Sequence, residues 1–462
     1  MNKVAAKTIR HDSQKDFDGL DGPEGWVTTT IGDIVGLNPP KPPQDALPPN
    51  APVTFVPMPA VDAYYGKIAA PNERPFGAVR KGYTAFREDD VIFAKITPCM
   101  ENGKSAVART LTNGLGFGST EFHVLRSNGA VVPDYLFHYL RQESFRRAAE
   151  AEMTGSVGQK RVPANFLKNV RLPLPPLSEQ KRIVLKVEEL LARVNAARER
   201  LAKVKEILKH FRQSVLAAAY SGKLKIQKMQ FDDNTKKKLK DVVNSIQIGP
   251  FGSLLHKADY VASEIPAINP TNFVDGKIKP SQKVTISKSK KRELERYVLK
   301  EGDVIVGRRG QMGRCAVVTK EEDGWICGTG ALFLRPGAEL MPHFLQMLIS
   351  SPQIVAYLEA ASVGSTMTNL NQKIFSTMEI PVPAKEVQDQ IVRNGHALFR
   401  TSEEIETRCR KAEGFLERLE KEVLVKAFRG ELVPTEAELA KREGRPYEPA
   451  SALLAKIKTQ RS

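Results

Sequence analysis

The chain has 462 residues, enough for two to four domains, and its 41% hydrophobic fraction is that of an ordinary globular protein. Its 70 Lys and Arg against 53 Asp and Glu give a net charge of +17, which favours an anionic partner, nucleic acid ahead of membrane. A basic protein without such a partner is the alternative. Because the sequence shows neither an 18-residue apolar run nor a secretory signal, we expect a cytoplasmic protein with no membrane partner.

A polar lead-in at residues 1–24 precedes the first predicted globular domain, residues 25–178. Short β-rich runs between Pro- and Gly-rich loops predict strands at 53–56, 91–96, 106–108, 122–125 and 170–174, and residues 134–146 have helical spacing. Pro173, Pro175 and Pro176 close the domain, since proline interrupts both sheets and helices. The fold class we predict is α+β, with mixed α/β domains.

Residues 179–222 contain the most regular pattern in the chain. Apolar positions recur at alternating steps of three and four residues, which predicts a coiled-coil helix whose seam includes Val187, Leu190, Val194, Leu201, Val204, Leu208, Phe211 and Val215. Ser178 is the predicted N-cap, and Gly222 the predicted residue just past the end.

The remainder of the chain repeats this order after a linker at residues 223–236. A second domain is predicted at 237–386, a second long helix at 387–430, and a tail at 431–462 with an amphipathic patch at 450–457. Gln180 and Gln388 stand 208 residues apart, as do Gly222 and Gly430. The constant shift predicts a tandem duplication of a domain followed by a helix.

The two long helices are predicted to pair antiparallel, giving the chain pseudo-two-fold symmetry. The seam of the second helix is predicted at Leu398, Ile405, Cys409, Leu416, Leu419 and Val423. Gly395 and Ser402 replace Val187 and Val194 of the first helix, so we expect looser packing there. At about 1.5 Å per residue each helix spans roughly 60 Å, more than the ~34 Å of one DNA turn. Two DNA readers at a fixed spacing would fit this length; a helical hairpin that only oligomerises is the alternative.

Several segments resemble the specificity (S) subunits of Type I restriction-modification enzymes. They are PLPPLSEQKRIV at 173–184, the helix ends RQSVLAAAYSGKL and VLVKAFRGEL, Gly25-Trp26, and IGPFGSLL at 248–255; SALLAKIK at 451–458 resembles tails in one branch of that family. The resemblance covers roughly residues 25–458.

The resemblance implies that each globular domain is a target recognition domain reading one half of a bipartite, asymmetric double-stranded DNA target. It implies that the helices set the spacer and dock two methyltransferase (M) subunits, with restriction/translocase (R) subunits joining them. The chain itself would be non-catalytic and hold no cofactor. S-adenosylmethionine, ATP and Mg²⁺ would belong to the partners, which together form an ATP-dependent site-specific deoxyribonuclease and an adenine-specific DNA methyltransferase.

Catalytic motifs are incomplete in this sequence. Gly103-Lys104-Ser105 resembles the end of a P-loop, but Pro98 stands where the first glycine must lie. Asn38-Pro39-Pro40-Lys41 lacks the aromatic residue that would stack a flipped adenine. No metal site is expected from the His and Cys spacing. An enzyme would need motifs that are absent here, and a coiled-coil scaffold or generic nucleic-acid-binding protein remains the other alternative.

Candidate DNA contacts are loop residues able to bind base edges or phosphates. In the first domain they are Lys95, Thr97, Asn102, Lys104, Ser105, Ser119, Thr120, Gln159, Lys160 and Arg161. In the second domain they are Arg308, Arg309, Gln311, Arg314, Thr329, Thr366, Asn369, Asn371, Gln372 and Lys373. For any single one of these residues, a solvated loop side chain is the alternative interpretation.

Overall fold

Two compact units make up the chain in the computed structural model, which describes residues 22–156, 158–224, 235–274, 276–362 and 370–461. Unit 1 contains the described residues up to Glu199 and from Ala412 onward, and unit 2 contains Arg200–Lys411. Each unit therefore combines a sheet-rich domain with part of each of two long helices.

The strands follow the duplication. Those of unit 1 are β1 Val27–Thr30, β2 Val35–Leu37, β3 Pro52–Val56, β4 Asn72–Pro75, β5 Thr84–Arg87, β6 Val91–Ala94, β7 Ser105–Val107, β8 Leu115–Gly118, β9 Phe122–Ser127 and β10 Arg171–Leu174. Those of unit 2 are β11 Lys236–Lys238, β12 Val243–Ile248, β13 Tyr260–Val261, β14 Ile265–Ile268, β15 Phe273–Val274, β16 Lys277–Ile278, β17 Thr285–Ile286, β18 Val304–Gly307, β19 Cys315–Val317, β20 Ile326–Cys327, β21 Ala331–Pro336 and β22 Glu379–Pro381.

The α-helices are short in the domains and long between them. In chain order they are α1 Ile31–Ile34, α2 Phe76–Val79, α3 Pro133–Arg141, α4 Glu143–Ala151, α5 Ala164–Asn169, α6 Leu177–Tyr220, α7 Leu239–Val242, α8 Lys288–Glu293, α9 Pro342–Ile349, α10 Pro352–Ser362, α11 Gln372–Thr377, α12 Lys385–Arg429, α13 Glu436–Glu443 and α14 Ala450–Arg461. The helix predicted at 134–146 is two helices, because Gln142 has an extended ψ of 140° between α3 and α4.

One sheet has the same topology in both units, and the second sheet differs in strand order. One four-stranded sheet has the order β2-β9-β6-β7 in unit 1 and β12-β21-β18-β19 in unit 2, with antiparallel pairs throughout. A second sheet in each unit contains a parallel pair, β3 with β8 and β14 with β20. The entry and exit strands of each domain also pair, β1 with β10 and β11 with β22. This shared order confirms the predicted tandem duplication.

A buried ion pair recurs at the same place in both domains. Arg126 holds Asp90 through two hydrogen bonds of 2.8 and 2.7 Å, and Arg335 holds Asp303 through two of 2.8 Å. Each aspartate is buried, so the bidentate geometry offsets the cost of removing its charge from water. The domain interiors have therefore kept this pair although most of their other residues differ.

A buried glutamine joins each long helix to its own domain. Gln180 accepts a hydrogen bond from the Val132 amide at 2.7 Å and donates to the carbonyls of Ala130 and Pro175. In unit 2, Gln388 accepts from the Met341 amide at 2.9 Å and donates to two carbonyls in the same way. Each side chain satisfies three buried backbone groups, so the start of each helix is fixed on its domain.

The two long helices run antiparallel within each unit, as predicted. In unit 1, Val187 of α6 lies in the same core as Val423 of α12, and further along Arg198 pairs with Glu420 at 2.8 Å. In unit 2, Val215 lies in the same core as Ile391.

The structure modifies the predicted ends of the first long helix. Helix α6 begins at Leu177, so Ser178 lies inside its first turn and cannot be the N-cap. At the other end Gly222 has a φ of +71°, the Lys223 amide donates to Ala218 at 2.8 Å, and the Gly222 amide donates to Ala219. This is a Schellman motif, which needs a residue such as glycine in the left-handed region.

The predicted seam is buried along α6 and uneven along α12. Ile405 and Leu419 are 37% and 38% exposed, so the structure places both at the edge of the helix pair rather than in its seam. The next residue in each case, Glu406 and Glu420, is half-buried and pairs with an arginine of α6. The other predicted seam residues are buried (Val187, Val194, Leu208, Val215, Cys409 and Val423) or half-buried (Leu190, Leu201, Val204, Phe211, Leu398 and Leu416).

The expectation of loose packing near Gly395 and Ser402 was wrong. A Cβ added at Gly395 would lie 2.3 Å from Met347 Cε, so the missing side chain lets the domain approach the helix closely. Ser402 is fully buried, and its hydroxyl accepts a hydrogen bond from Arg212 Nε at 3.2 Å. Small residues here therefore permit close contact with large neighbours.

The C-terminal tail packs onto unit 1, which the sequence did not predict. Ala450, Leu454 and Ile457 of α14 belong to the core of that unit. Glu179 is buried and accepts hydrogen bonds from Trp26 Nε1 and the Glu436 amide, both at 2.8 Å. Burial is the largest influence on the pKa of Glu179 and raises it above the ordinary value.

Candidate nucleic-acid interface

Three loops of unit 1 meet where strand β6 ends. The Lys95 amide donates to the Glu121 carbonyl at 2.9 Å, and the Val162 amide donates to the Lys95 carbonyl at 2.8 Å. The Thr97 amide donates to Lys160 at 3.0 Å. Backbone hydrogen bonds therefore bring together the candidate residues of three separate sequence segments.

The matching loops of unit 2 meet in the same way after strand β18. The Arg308 amide donates to the Gly330 carbonyl at 3.0 Å, and the Leu370 amide donates to the Arg308 carbonyl at 3.2 Å. These two bonds repeat those of Lys95. Lys95 and Arg308 are therefore structural equivalents, and each places a cation at the same position of its domain.

A second pair of equivalent cations lies across each hairpin. The Ala94 amide donates to the Lys104 carbonyl, and the Gly307 amide donates to the Arg314 carbonyl, both at 2.9 Å. Lys104 Nζ donates to the Met58 carbonyl at 2.9 Å, and Arg314 Nη2 donates to the Phe273 carbonyl at 2.5 Å. Each cation is thus held in one orientation by a backbone carbonyl of the segment that follows β3 or β14, the first strand of each parallel pair.

Neighbouring charges tune these sites. Arg161 forms two hydrogen bonds with Glu121, of 2.9 and 2.7 Å, and this bonding, with a smaller contribution from Lys95, keeps the pKa of Glu121 below its ordinary value. Arg308 is buried and donates from Nε to the Leu370 carbonyl at 2.7 Å. Burial, together with the nearby Arg309, lowers the pKa of Arg308. A DNA phosphate, or an acceptor atom of a nucleobase, would reduce the repulsion between Arg308 and Arg309.

The remaining candidates differ in accessibility. Asn102, Thr120, Gln159, Lys160, Arg309, Gln311, Asn371, Gln372 and Lys373 are exposed, and Thr97, Ser119 and Thr329 are half-buried. Ser105 is buried in β7, where its hydroxyl donates to the Gly103 carbonyl at 3.4 Å, so this side chain does not lie on the loop surface. The Asn371 side chain caps α11 by accepting from the Ile374 amide at 3.1 Å. Thr366 and Asn369 lie outside the described residues.

A groove of about 380 Å³ beside Lys95 contains residues that sequence reasoning missed. It is lined by Lys95 and Thr120 together with Asn38, Lys41 and Tyr83. Asn38 and Lys41 belong to the incomplete methyltransferase motif of the sequence. The groove combines two lysines with an aromatic side chain, a combination found in grooves that bind single-stranded nucleic acid.

The described part of the chain lacks two features that are found in metalloenzymes or in membrane proteins. No group of three or more His, Cys, Asp or Glu is placed to hold a metal ion there. Among the same residues, no helix has the length and apolar character needed to cross a membrane.

Comparison with known families gives two matches in tandem. The family model for the Type I restriction modification DNA specificity domain matches residues 23–206 and again residues 232–413. Each match thus begins near the entry strand of one domain and ends within the long helix that follows.

Curated relatives carry the same description. The chain is 30% identical over 328 residues to the EcoBI specificity subunit of Escherichia coli, covering 67% of this chain and 68% of that protein. It is 38% identical over 171 residues to the EcoAI specificity subunit of the same species, covering 37% of this chain. That match spans only 28% of the EcoAI subunit.

Solved structures agree with the fold. A chain from a study described as the structural basis of complex assembly and conformational transition of the type I R-M system superposes with a TM-score of 0.74 at 25% identity, covering 89% of this chain and all of that chain. The HsdS subunit from Thermoanaerobacter tengcongensis superposes with a TM-score of 0.55, also at 25% identity, covering 89% of this chain and 98% of that subunit.

Proposed function

Because the chain belongs to the family of Type I restriction-modification DNA specificity domains, we propose that it is the DNA-specificity subunit of a Type I restriction-modification enzyme. In this proposal each domain reads one half of a bipartite, asymmetric double-stranded DNA target. The chain directs the reaction and does not catalyse it.

The observation that carries this proposal is the pair of equivalent cation positions in the two domains. Lys95 and Lys104 occupy in unit 1 the places that Arg308 and Arg314 occupy in unit 2. Arginine presents a planar fork that binds guanine in two places, whereas lysine acts as a compact point charge. Two domains that recognise different DNA sequences require the same backbone arrangement with different side chains at the contact positions.

The long helices supply the second part of the proposal. Helix α6 has 44 residues and α12 has 45, and each begins in one unit and ends in the other. We assign them the spacing of the half-sites and the docking of two methyltransferase subunits, which R subunits then join. S-adenosylmethionine, ATP and Mg²⁺ would bind to those partner subunits in the cytoplasm. The nuclease and methyltransferase activities would therefore belong to the whole complex.

Selection from a random duplex library tests the proposal. The full chain, bound to its partner methyltransferase, should enrich a motif of two short half-sites separated by a fixed gap. The control variant Ser105→Ala should enrich the same motif, since Ser105 is buried. Enrichment of no sequence would favour a coiled-coil scaffold, and methyl transfer by the purified chain alone would show that it is an enzyme.

A further inference from the structure

A cavity of about 430 Å³ in unit 2 lies apart from the loops that carry the DNA candidates. It is formed between α9 of the domain and the two long helices, and its lining includes Arg212, Lys277, His343, His396 and Arg400. Its volume falls within the range of about 300–1000 Å³ that is usual for small-molecule sites.

Two histidines of the cavity lining are in edge-to-face contact with each other. The rings of His343 on α9 and His396 on α12 have centroids 5.3 Å apart and an interplanar angle of 80°. Burial, followed by the charges of His343 and Arg400, lowers the pKa of His396, while the carboxylate of Glu403 acts in the opposite direction. The balance disfavours a cation on this imidazole.

Two of the cations that line the cavity lack a salt-bridge partner among the described residues, although the carboxylate of Glu403 is also part of the lining. The guanidinium of Arg400 and the ammonium of Lys277 are exposed and form no ion pair with any residue that the structure describes. Arg212 is held by Ser402 Oγ at 3.2 Å and by Glu406 at 3.5 Å.

Unit 1 contains a cavity at the equivalent place, and its charges are different. Its volume is about 570 Å³, and Asp134 and Glu188 stand where unit 2 has His343 and His396. There Arg109 contacts Asp134 at 2.5 Å and Arg141 lies 3.7 Å from Glu420, and Lys67 of a Gly-Lys-Ile segment matches Lys277 of unit 2. The duplication has thus kept the cavity and one lysine in both units, and the two cavities differ in having carboxylates in unit 1 where unit 2 has histidines.

We propose that the His343–His396 cavity binds the phosphoryl group of a small anion, such as pyrophosphate or the polyphosphate of a nucleotide. Lys277 and Arg400 would supply the charge, and the two adjacent imidazoles would donate hydrogen bonds. Arginine and lysine bind phosphate oxygens through charge-assisted hydrogen bonds, which are the stronger class. The unit 1 cavity, with its carboxylates, would exclude the same ligand.

Titration calorimetry of the full chain with inorganic pyrophosphate, without divalent cations, tests this proposal. We expect one saturable site per chain and a loss of affinity of about tenfold or more in the K277Q/R400Q variant. Arg393→Gln is the matched control: Arg393 lies on the same helix outside the cavity, paired with Asp389, and its loss should change the affinity less than about twofold.

Three results would overturn the proposal. They are the absence of saturable binding, an equal loss in the Arg393→Gln control, and displacement of pyrophosphate by a short duplex of random sequence. The last result would assign the cavity to the DNA backbone rather than to a free phosphoryl ligand. Because Lys277 and Arg400 are exposed, their replacement leaves the fold intact, and thermal unfolding of the variants verifies this.

Discussion

The buried glutamines at the starts of the long helices allow a test that compares the two units within one molecule. Replacing Gln180 with methionine keeps a similar volume but removes three hydrogen bonds to backbone groups. At about 0.5–1.5 kcal/mol for each bond, the local structure should lose about 1.5–4.5 kcal/mol. Gln388→Met removes the corresponding three bonds of unit 2 and is the matched variant.

Hydrogen exchange read by mass spectrometry measures this local loss without assuming that the whole chain unfolds in one step. In Gln180→Met, peptides containing Val132 should exchange about 10- to 2000-fold faster, while those containing Met341 keep their rate. Gln388→Met should give the reverse pattern. Acceleration below about threefold, or equal acceleration in both units by either variant, would refute the assignment of each glutamine to its own domain.

Three further outcomes are expected. Arg308→Ala should reduce discrimination between bases at one half-site by about 1–3 kcal/mol, and Lys95→Ala should affect only the other half-site. Selection followed by sequencing measures both effects. Equal weakening of binding to all sequences would instead show that the residue contacts phosphate. Asp303→Asn should destabilise unit 2 by about 1–3 kcal/mol in denaturant titration, because it removes the charge of a buried carboxylate that makes two hydrogen bonds with half-buried Arg335. Burial raises the pKa of Cys315 to about 12, so its thiol stays protonated at pH 8. Iodoacetamide should therefore modify the half-buried Cys99 before Cys315. Early labelling of Cys315 would contradict its burial.

The elements that depend on local periodicity could be predicted from the sequence. The heptad pattern and the shift of 208 residues predicted both long helices, which start at Leu177 and Lys385, themselves 208 residues apart. Strands β3, β6, β7, β9 and β10 were also predicted, because their apolar residues face a core on one or both sides.

Elements that depend on distant partners could not be predicted. The seam of α12 was misplaced by one residue at Ile405 and Leu419, since periodicity counts apolar residues and the inward positions hold glutamates. The helix pair tolerates these half-buried glutamates because Arg212 and Arg198 of the other helix form ion pairs with them. Local sequence does not report a partner that lies about 200 residues away.

The candidate site was predictable by residue type but not by geometry. Sequence reasoning selected Lys95, Lys104, Arg308 and Arg314 from loops, without evidence that they form two equivalent pairs. That equivalence is visible in the matched backbone hydrogen bonds of the two domains. Insertions between the strands change the sequence separation of the corresponding residues, so the shift along the chain does not align them. Ser105 lies buried in a short strand, and residue type alone does not distinguish such a position from a loop position.

The central claim is that two different readers act at a fixed separation set by the long helices. Its most direct test is the DNA motif methylated in cells that carry the chain with one heptad inserted into both α6 and α12. We expect both half-sites to remain unchanged while the gap between them changes, or assembly to be lost with methylation. Altered half-sites with an unchanged gap would contradict the account, as would a single contiguous motif for the natural chain.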